Sequence, residues 1–411
     1  MKYKKKISKY LTLNILLVSF LSCNNEKEIF INENIDFAVE QTKLMLENVG
    51  EPTGRNYPRT MDNNGKLVVT SMYDWTPGFF PGSLWYLYEL TGDTLWKKEA
   101  EKWTHTLKPL RTFTGHHDLG FMIYCSYGNA NRLAPKEEYK DIIIESAVSL
   151  STRFSEKTQT IKSWNYRKAW NDTIEWFYPV IADNMMNLEL LTVGSRMSGN
   201  PRFHDIAVKH ANSTIRNHLR EDFSSYHVVD YDTITGQVKD QATCQGYSDN
   251  STWSRGQAWI IYGYTMMYRE TGITEYLDIA KKTTDFYMNN LPEDMIPLWD
   301  FNVGQEGYNP EEHSYAATYR EKHKDVSAAA IVCSALFELG QLTNNKTYTD
   351  DAVKMLHQLA SPEYRAKVGE NANFLLKHSV GSIPHQNEID KPLVYADYYF
   401  LEALVRYRNL K

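Results

Sequence analysis

Apolar residues recur at helical spacing along most of the chain, and the strict alternation of a half-buried strand is rare. The pattern predicts helices over residues 35–47, 78–91, 94–108, 118–130, 136–154, 179–198, 202–219, 255–271, 274–290, 325–341, 348–360 and 390–407, an all-α fold. Several are punctuated alike. Gly92 precedes Trp96, Gly199 precedes Phe203 and Gly272 precedes Tyr276, each a glycine C-cap, a short polar link and an aromatic opening the next helix. The stretches Asn131–Tyr139 and Leu342–Tyr348 are weaker copies. The repeating unit is an αα-hairpin, which builds either an open solenoid or a closed toroid. The long inserts 48–77, 155–178, 220–254, 291–324 and 361–389 favour a toroid with its loops gathered at one end. Within them, 226–239 reads as a small β-hairpin, with a turn at Thr235-Gly236. No linker or low-complexity run divides residues 35–411, which form one domain.

The N-terminus follows a different rule. Lys2, Lys4, Lys5, Lys6 and Lys9 precede an apolar run from Leu11 to Phe20, and Leu21-Ser22 precede Cys23. This is the layout of a lipoprotein signal peptide over residues 1–22, with acylation expected at the Cys23 thiol and a polar tether over 23–34. The protein is then expected at the periplasm or cell surface, held to a membrane only through that anchor. An ordinary secretory peptide with an incidental cysteine is the alternative. Losing five lysines takes the formal charge from −6 to −11, which argues against nucleic acid as a partner. An acidic shell still permits a locally basic pocket for an anionic substrate. Cys125, Cys244 and Cys333 remain in apolar or motif contexts and read as free thiols.

Phe, Trp and Tyr make up 13 % of the chain, a richness common in carbohydrate clefts. The segment Gln241–Trp259 concentrates Gln241, Thr243, Gln245, Trp253, Arg255 and Trp259 where a helix begins. Indole faces stack on sugar rings, amides bond hydroxyls, and a guanidinium can clamp a carboxylate. An aromatic helix start with a solvated arginine has the same composition. Asp118 follows His116-His117 at a helix start and is either an N-cap or a reactive carboxylate; adjacent histidines face apart, so no metal site is expected. Asp183 lies among Ile181, Met185 and Met186, where desolvation would hold it protonated as a general acid requires, against the opposing pull of a helix N-terminus. His227 reads as a strand residue or a hydrogen-bond donor, and Trp75 and Trp164 as loop stacking platforms. Two carboxylates among aromatic platforms are the equipment of sugar cleavage.

The motifs Trp75–Gly82, His117–Phe121, Asp183–Asn187 and Ser251–Trp259 together resemble the unsaturated glucuronyl hydrolases, glycoside hydrolase family 88. The resemblance implies an (α/α)6 barrel, matching twelve helices, and no cofactor. It implies hydration of the C4=C5 vinyl ether in the non-reducing-end uronic acid left by polysaccharide lyases, releasing a keto acid. The substrate class is an unsaturated uronic-acid-containing oligosaccharide from glycosaminoglycans or similar acidic polysaccharides. Asp183 is implied as general acid/base, and Asp118 as a nucleophile or as a group that fixes sugar hydroxyls. Contacts are implied at Gln241, Thr243, Gln245, His227, Arg255 and Trp259, with stacking from Trp75, Trp164 and Trp253. Ser379 and Ser382 match a loop that touches a sulfate in some relatives, although Pro384 stands where a lysine would help. Cys244 stands where many relatives have histidine. The related unsaturated rhamnogalacturonyl hydrolases, acting on pectin fragments, and a non-catalytic glycan-binding lipoprotein are the alternatives.

Overall fold

A computed structural model describes residues 3–170, 174–311, 316 and 318–410, with side chains from Asn25 onward. The helices are α1 (Tyr3–Val49), α2 (Phe79–Thr91), α3 (Thr94–His105), a π-helix (Gly120–Gly128) continued by α4 (Asn129–Leu133), α5 (Glu137–Ser151), α6 (Asn184–Ser198) and α7 (Pro201–His218). They continue with α8 (Ser254–Thr271), α9 (Thr274–Asn289), α10 (Val326–Thr343), α11 (Lys346–Leu359) and α12 (Val394–Asn409). α2, the π-helix, α6, α8, α10 and α12 pack in succession, and α12 returns to α2, closing an inner ring. α1, α3, α5, α7, α9 and α11 pack outside it, so the fold is an (α/α)6 barrel.

The connections are unequal for a local reason. Each inner helix before α12 passes to its outer successor through two or three residues. Gly92, Gly199 and Gly272 make three of these turns at φ 70°, 71° and 70°, each amide donating to the carbonyl four residues back. Outer-to-inner connections are long, so all six inner N-termini collect at one end beneath the loops. The positive ends of six helix dipoles point there, which favours an anion. Five small antiparallel sheets decorate that end: β1 (Tyr57–Met61) with β2 (Leu67–Thr70), β3 (Phe154–Ser155) with β4 (Thr160–Ile161), and β5 (Arg167–Lys168) with β6 (Glu175–Trp176). The others are β7 (Pro179–Ile181), β8 (Val228–Tyr231) and β9 (Val238–Ala242) in one sheet, and β10 (Ser379–Ser382) with β11 (Asn387–Lys391).

Four expectations need correction. Residues 179–181 are strand, not helix, because Val180 and Ile181 pair with Val229 and Val228 before the chain turns into α6. The expected helix at 118–130 is mostly π, and its wide turns open beside Asp118, a placement common at functional sites. The last helix starts at Val394, because 387–391 pair with β10. The expected tether is helical and docked along part of its length: Ile31 is buried, Phe30 stacks on His357 at 3.9 Å, and Lys27 Nζ donates to Leu410 O at 2.9 Å. The Cys23 side chain lies outside the described residues. Cys125, Cys244 and Cys333 are free and buried, as expected. Among the described residues α10 alone is long and apolar enough to cross a membrane, but Val326 to Gly340 are all buried in the inner ring.

Candidate active site

Asp183 sits where β7 turns into α6. Its φ and ψ, −56° and −24°, are already helical, so its side chain does not cap the helix and the carboxyl is free for other work. It is 8 % exposed. His227, the residue before β8, brings Nε2 to 3.7 Å from Asp183 Oδ2. The tautomer follows from the other nitrogen: Nδ1 accepts from the amides of Cys244 (3.1 Å) and Gln245 (3.2 Å), so the proton is on Nε2, facing the carboxyl. Asp183 Oδ2 and His227 Nε2 are buried without a hydrogen-bond partner. Burial, followed by the charge of Asp118, pushes Asp183 up to about 7, while Arg255, a backbone amide and the Trp259 indole pull the other way.

Asp118 has the opposite environment. His116 Nδ1 and His117 Nε2 each lie 3.3 Å from one of its oxygens. Burial alone would raise its pKa, but His117, His116 and Asn187 outweigh burial and hold it below the usual value. Asn187, on α6, also accepts from the Phe121 amide at 3.1 Å, tying the start of the π-helix to the Asp183 helix. Gly120 permits this approach, since a Cβ there would sit 2.5 Å from Asn187 Oδ1 and 2.6 Å from its Cα. Two nearby carboxyls with pKa values driven apart are the signature of paired acid and base roles.

Around this pair the expected residues divide. Trp75 keeps partial exposure against Phe79, Phe121 and Tyr395, and Trp164 is half-buried beside His227 at 6.5 Å, so both can offer a face to sugar. Gln245 donates to Gly381 O at 3.2 Å, and the Ser379 hydroxyl is buried with no partner. Ser382 Oγ lies 2.5 Å from His385 Nδ1.

The others play different parts. Arg255 does not offer a free fork to a carboxylate. It is 1 % exposed and donates to Asp325 (2.8 Å), to Val380 O and to Gly381 O (2.6 Å), pinning β10 to the start of α10. Trp253 is closed to sugar, its ring covered by His227 at 4.5 Å and by the Arg255 guanidinium at 4.5 Å. Trp259 is fully buried against Phe121 and Tyr399 and serves as a floor beneath Asp183. Gln241 is exposed and donates away from the site to Asn217 O at 2.6 Å, because ladder alternation sends its neighbour Ala242 inward. Thr243 closes a turn, its Oγ1 accepting from Gly246 N at 2.8 Å.

Asp325, Tyr395, Arg167 and His385 also belong to this end and escaped the sequence reading. Asp325 carries the ordinary N-cap signal, Oδ1 accepting from Ser327 N at 3.1 Å, and its second oxygen is what Arg255 uses. Tyr395 lies in the first turn of the last helix, under the Arg255 guanidinium at 5.4 Å. Arg167 follows the loop tryptophan Trp164 by three residues, a faint signal at best.

Known proteins resemble this chain in sequence and in fold. The model of Glycosyl Hydrolase Family 88 matches residues 54–408. An unsaturated glucuronyl hydrolase of Formosa agariphila is 46 % identical over 411 residues, 98 % of each chain. A crystal structure of an unsaturated glucuronyl hydrolase specific for heparin superposes with a TM-score of 0.84 at 41 % identity, covering 92 % of this chain and 97 % of the other. A point mutant of the Streptococcus agalactiae enzyme complexed with dGlcA-GalNAc6S superposes with a TM-score of 0.74 at 26 % identity, covering 93 % of each chain. The chain therefore belongs to glycoside hydrolase family 88.

Proposed function

We propose that Asp183 and Asp118 carry the hydration of an unsaturated uronide in this enzyme. The activity itself is that of an unsaturated glucuronyl hydrolase acting on glycosaminoglycan fragments. The substrate's C4=C5 bond is conjugated to the ring oxygen, so C4 is nucleophilic and accepts a proton. Asp183, neutral near pH 7, donates it, and positive charge develops at C5 and the ring oxygen. Water adds at C5 and returns a proton to the Asp183 carboxylate, closing the cycle on one group. The resulting hemiketal opens to a ketone, leaving a hemiacetal at C1 that expels the rest of the saccharide.

Asp118 stays ionised and its charge helps keep the proton on Asp183, while its oxygens and the Nε2–H of His227 are placed to hold sugar hydroxyls. Trp75 and Trp164 supply stacking. The observation that carries this reading is the buried, unpartnered Oδ2 of Asp183 facing His227, next to a carboxylate held in the opposite protonation state. The test is loss of the near-ultraviolet absorbance of the alkene on incubation with lyase-derived disaccharides. Wild type should bleach chondroitin- or heparin-derived substrate, and Asp183→Asn should not, with its circular dichroism unchanged. Preference for a pectin-derived disaccharide would move the protein to the rhamnogalacturonyl group, and saturable binding without bleaching would make it a glycan-binding protein.

Acylation at Cys23, with residence at the periplasmic or cell-surface side of a membrane, completes the proposal. It is supported by the basic, apolar and Cys sequence of residues 2–23. Cys23→Ala should shift the protein from the membrane to the soluble fraction.

A further inference from the structure

Trp164 stands on a segment with no regular structure of its own. β4 ends at Ile161, and residues 162–166 run on outside any helix or strand. A stacking ring on such a segment serves sugar well only if its backbone is ordered beforehand, because ordering it on binding subtracts from affinity.

Arg153, between α5 and β3, supplies that order. Its Nε donates to Lys162 O at 2.8 Å and one Nη to Thr114 O at 2.6 Å, while the other Nη donates to Ser163 O and Asn165 Oδ1, both at 3.2 Å. Three of these four acceptors bracket Trp164 in the chain. The fourth lies two residues before His116, in the loop that delivers Asp118. The arginine is itself anchored, its carbonyl accepting from Lys162 N at 3.0 Å and from the Tyr178 hydroxyl at 3.1 Å. A planar fork with five donors can span such a set at once, and it loses little freedom for each bond it makes.

Ser163 is where this clamp meets the two acids. It is wholly buried, and its amide donates to Pro179 O at 2.8 Å. Its hydroxyl oxygen accepts from Ile181 N at 3.0 Å and from Asn184 Nδ2 at 3.3 Å, on either side of Asp183. The carbonyl that receives Arg153 also receives His117 N at 3.3 Å, the residue before Asp118. The residue next to Trp164 is therefore tied to the neighbours of both carboxyls, and Arg153 holds it there from the opposite side.

We infer that Arg153 is a positioning residue for the reaction, holding the Trp164 platform in register with Asp183 and Asp118. This rests on the function proposed above and deepens it. Arg153 acts through Trp164 and touches no substrate.

The test is a double-mutant cycle on a lyase-derived disaccharide. Arg153→Met should raise KM by roughly 10-fold, the effect of losing one charge-assisted hydrogen bond, while kcat changes much less. Arg153→Lys, which keeps the charge but not the fork, should recover part of the loss. Trp164→Ala alone should also raise KM, and adding Arg153→Met to it should cost little more, because the platform to be positioned is gone. An equal loss with and without Trp164, or a loss confined to kcat, would make Arg153 a support of the fold alone and overturn the inference. Unchanged KM in either single variant would overturn it too. If Arg153→Met does not fold, as judged by circular dichroism, Arg153→Lys and Asn165→Ala enter the same cycle and decide it on the same criteria. Wild type that bleaches no disaccharide would instead overturn the proposed function.

Discussion

Asp183 reports its environment through two measurements of opposite kind. On the proposed mechanism catalysis needs its neutral form, so kcat/KM should fall as pH rises through about 7, a limb read from initial rates across pH 5 to 9. Stability follows the same proton. The carboxyl's folded-state pKa is raised, so its contribution is complete below the unfolded value near 3.8 and is lost as pH rises through about 7. Asparagine carries no such cost. Asp183→Asn should therefore melt higher than wild type at pH 8, with the difference shrinking toward pH 5, where both side chains are neutral. A difference independent of pH, read by calorimetry, would mean that Asp183 is ionised throughout. Trading stability for a proton held in place is common at active sites.

At the scale of elements, the site is a set of helix starts braced by short strands. Arg255 shows how: it reaches from α8 to the cap of α10 and to two carbonyls of β10, so three elements depend on one guanidinium. Removing its carboxylate leaves a buried cation unpaired. Asp325→Ala should cost about 3–5 kcal/mol in denaturant unfolding. Because β10 carries Ser379 and Ser382, the surviving folded fraction should also show a raised KM. A melting curve equal to that of wild type would show that Arg255 finds equivalent partners. The π-helix is the second such element. Its start lies against α6 only because position 120 is glycine and Asn187 catches the Phe121 amide, and this brings Asp118 within electrostatic reach of Asp183.

For the whole molecule, ring closure decides where the chemistry lies. Six inner helices present their N-termini to one opening, and the long outer-to-inner connections fold over it. The outer ring includes α1, whose packed stretch begins before residue 35. A chain starting at residue 35 should lose the buried Ile31 and the Phe30–His357 stack. At roughly 1.5–3 kcal/mol for each buried apolar side chain, it should melt several degrees lower than a chain starting at residue 25. Equal melting temperatures would restore the tether reading.

The twelve-helix count, the glycine caps, the hairpin near residue 230, the free cysteines and the desolvated setting of Asp183 were all legible in the sequence, because periodicity and capping act within a few residues. The strand at 179–181 and the hairpins at 57–70 and 379–391 were not legible, since these runs are too short for alternation to stand out. The roles of Arg255, Trp253 and Gln241 were hidden for a different reason. Each depends on a partner far along the chain, as Arg255 depends on Val380, 125 residues away. Local pattern sets which elements form and which chemical groups are present. Only closure of the barrel decided which charges are neutralised within the protein and which remain for substrate, because that balance is set by long-range contacts and burial.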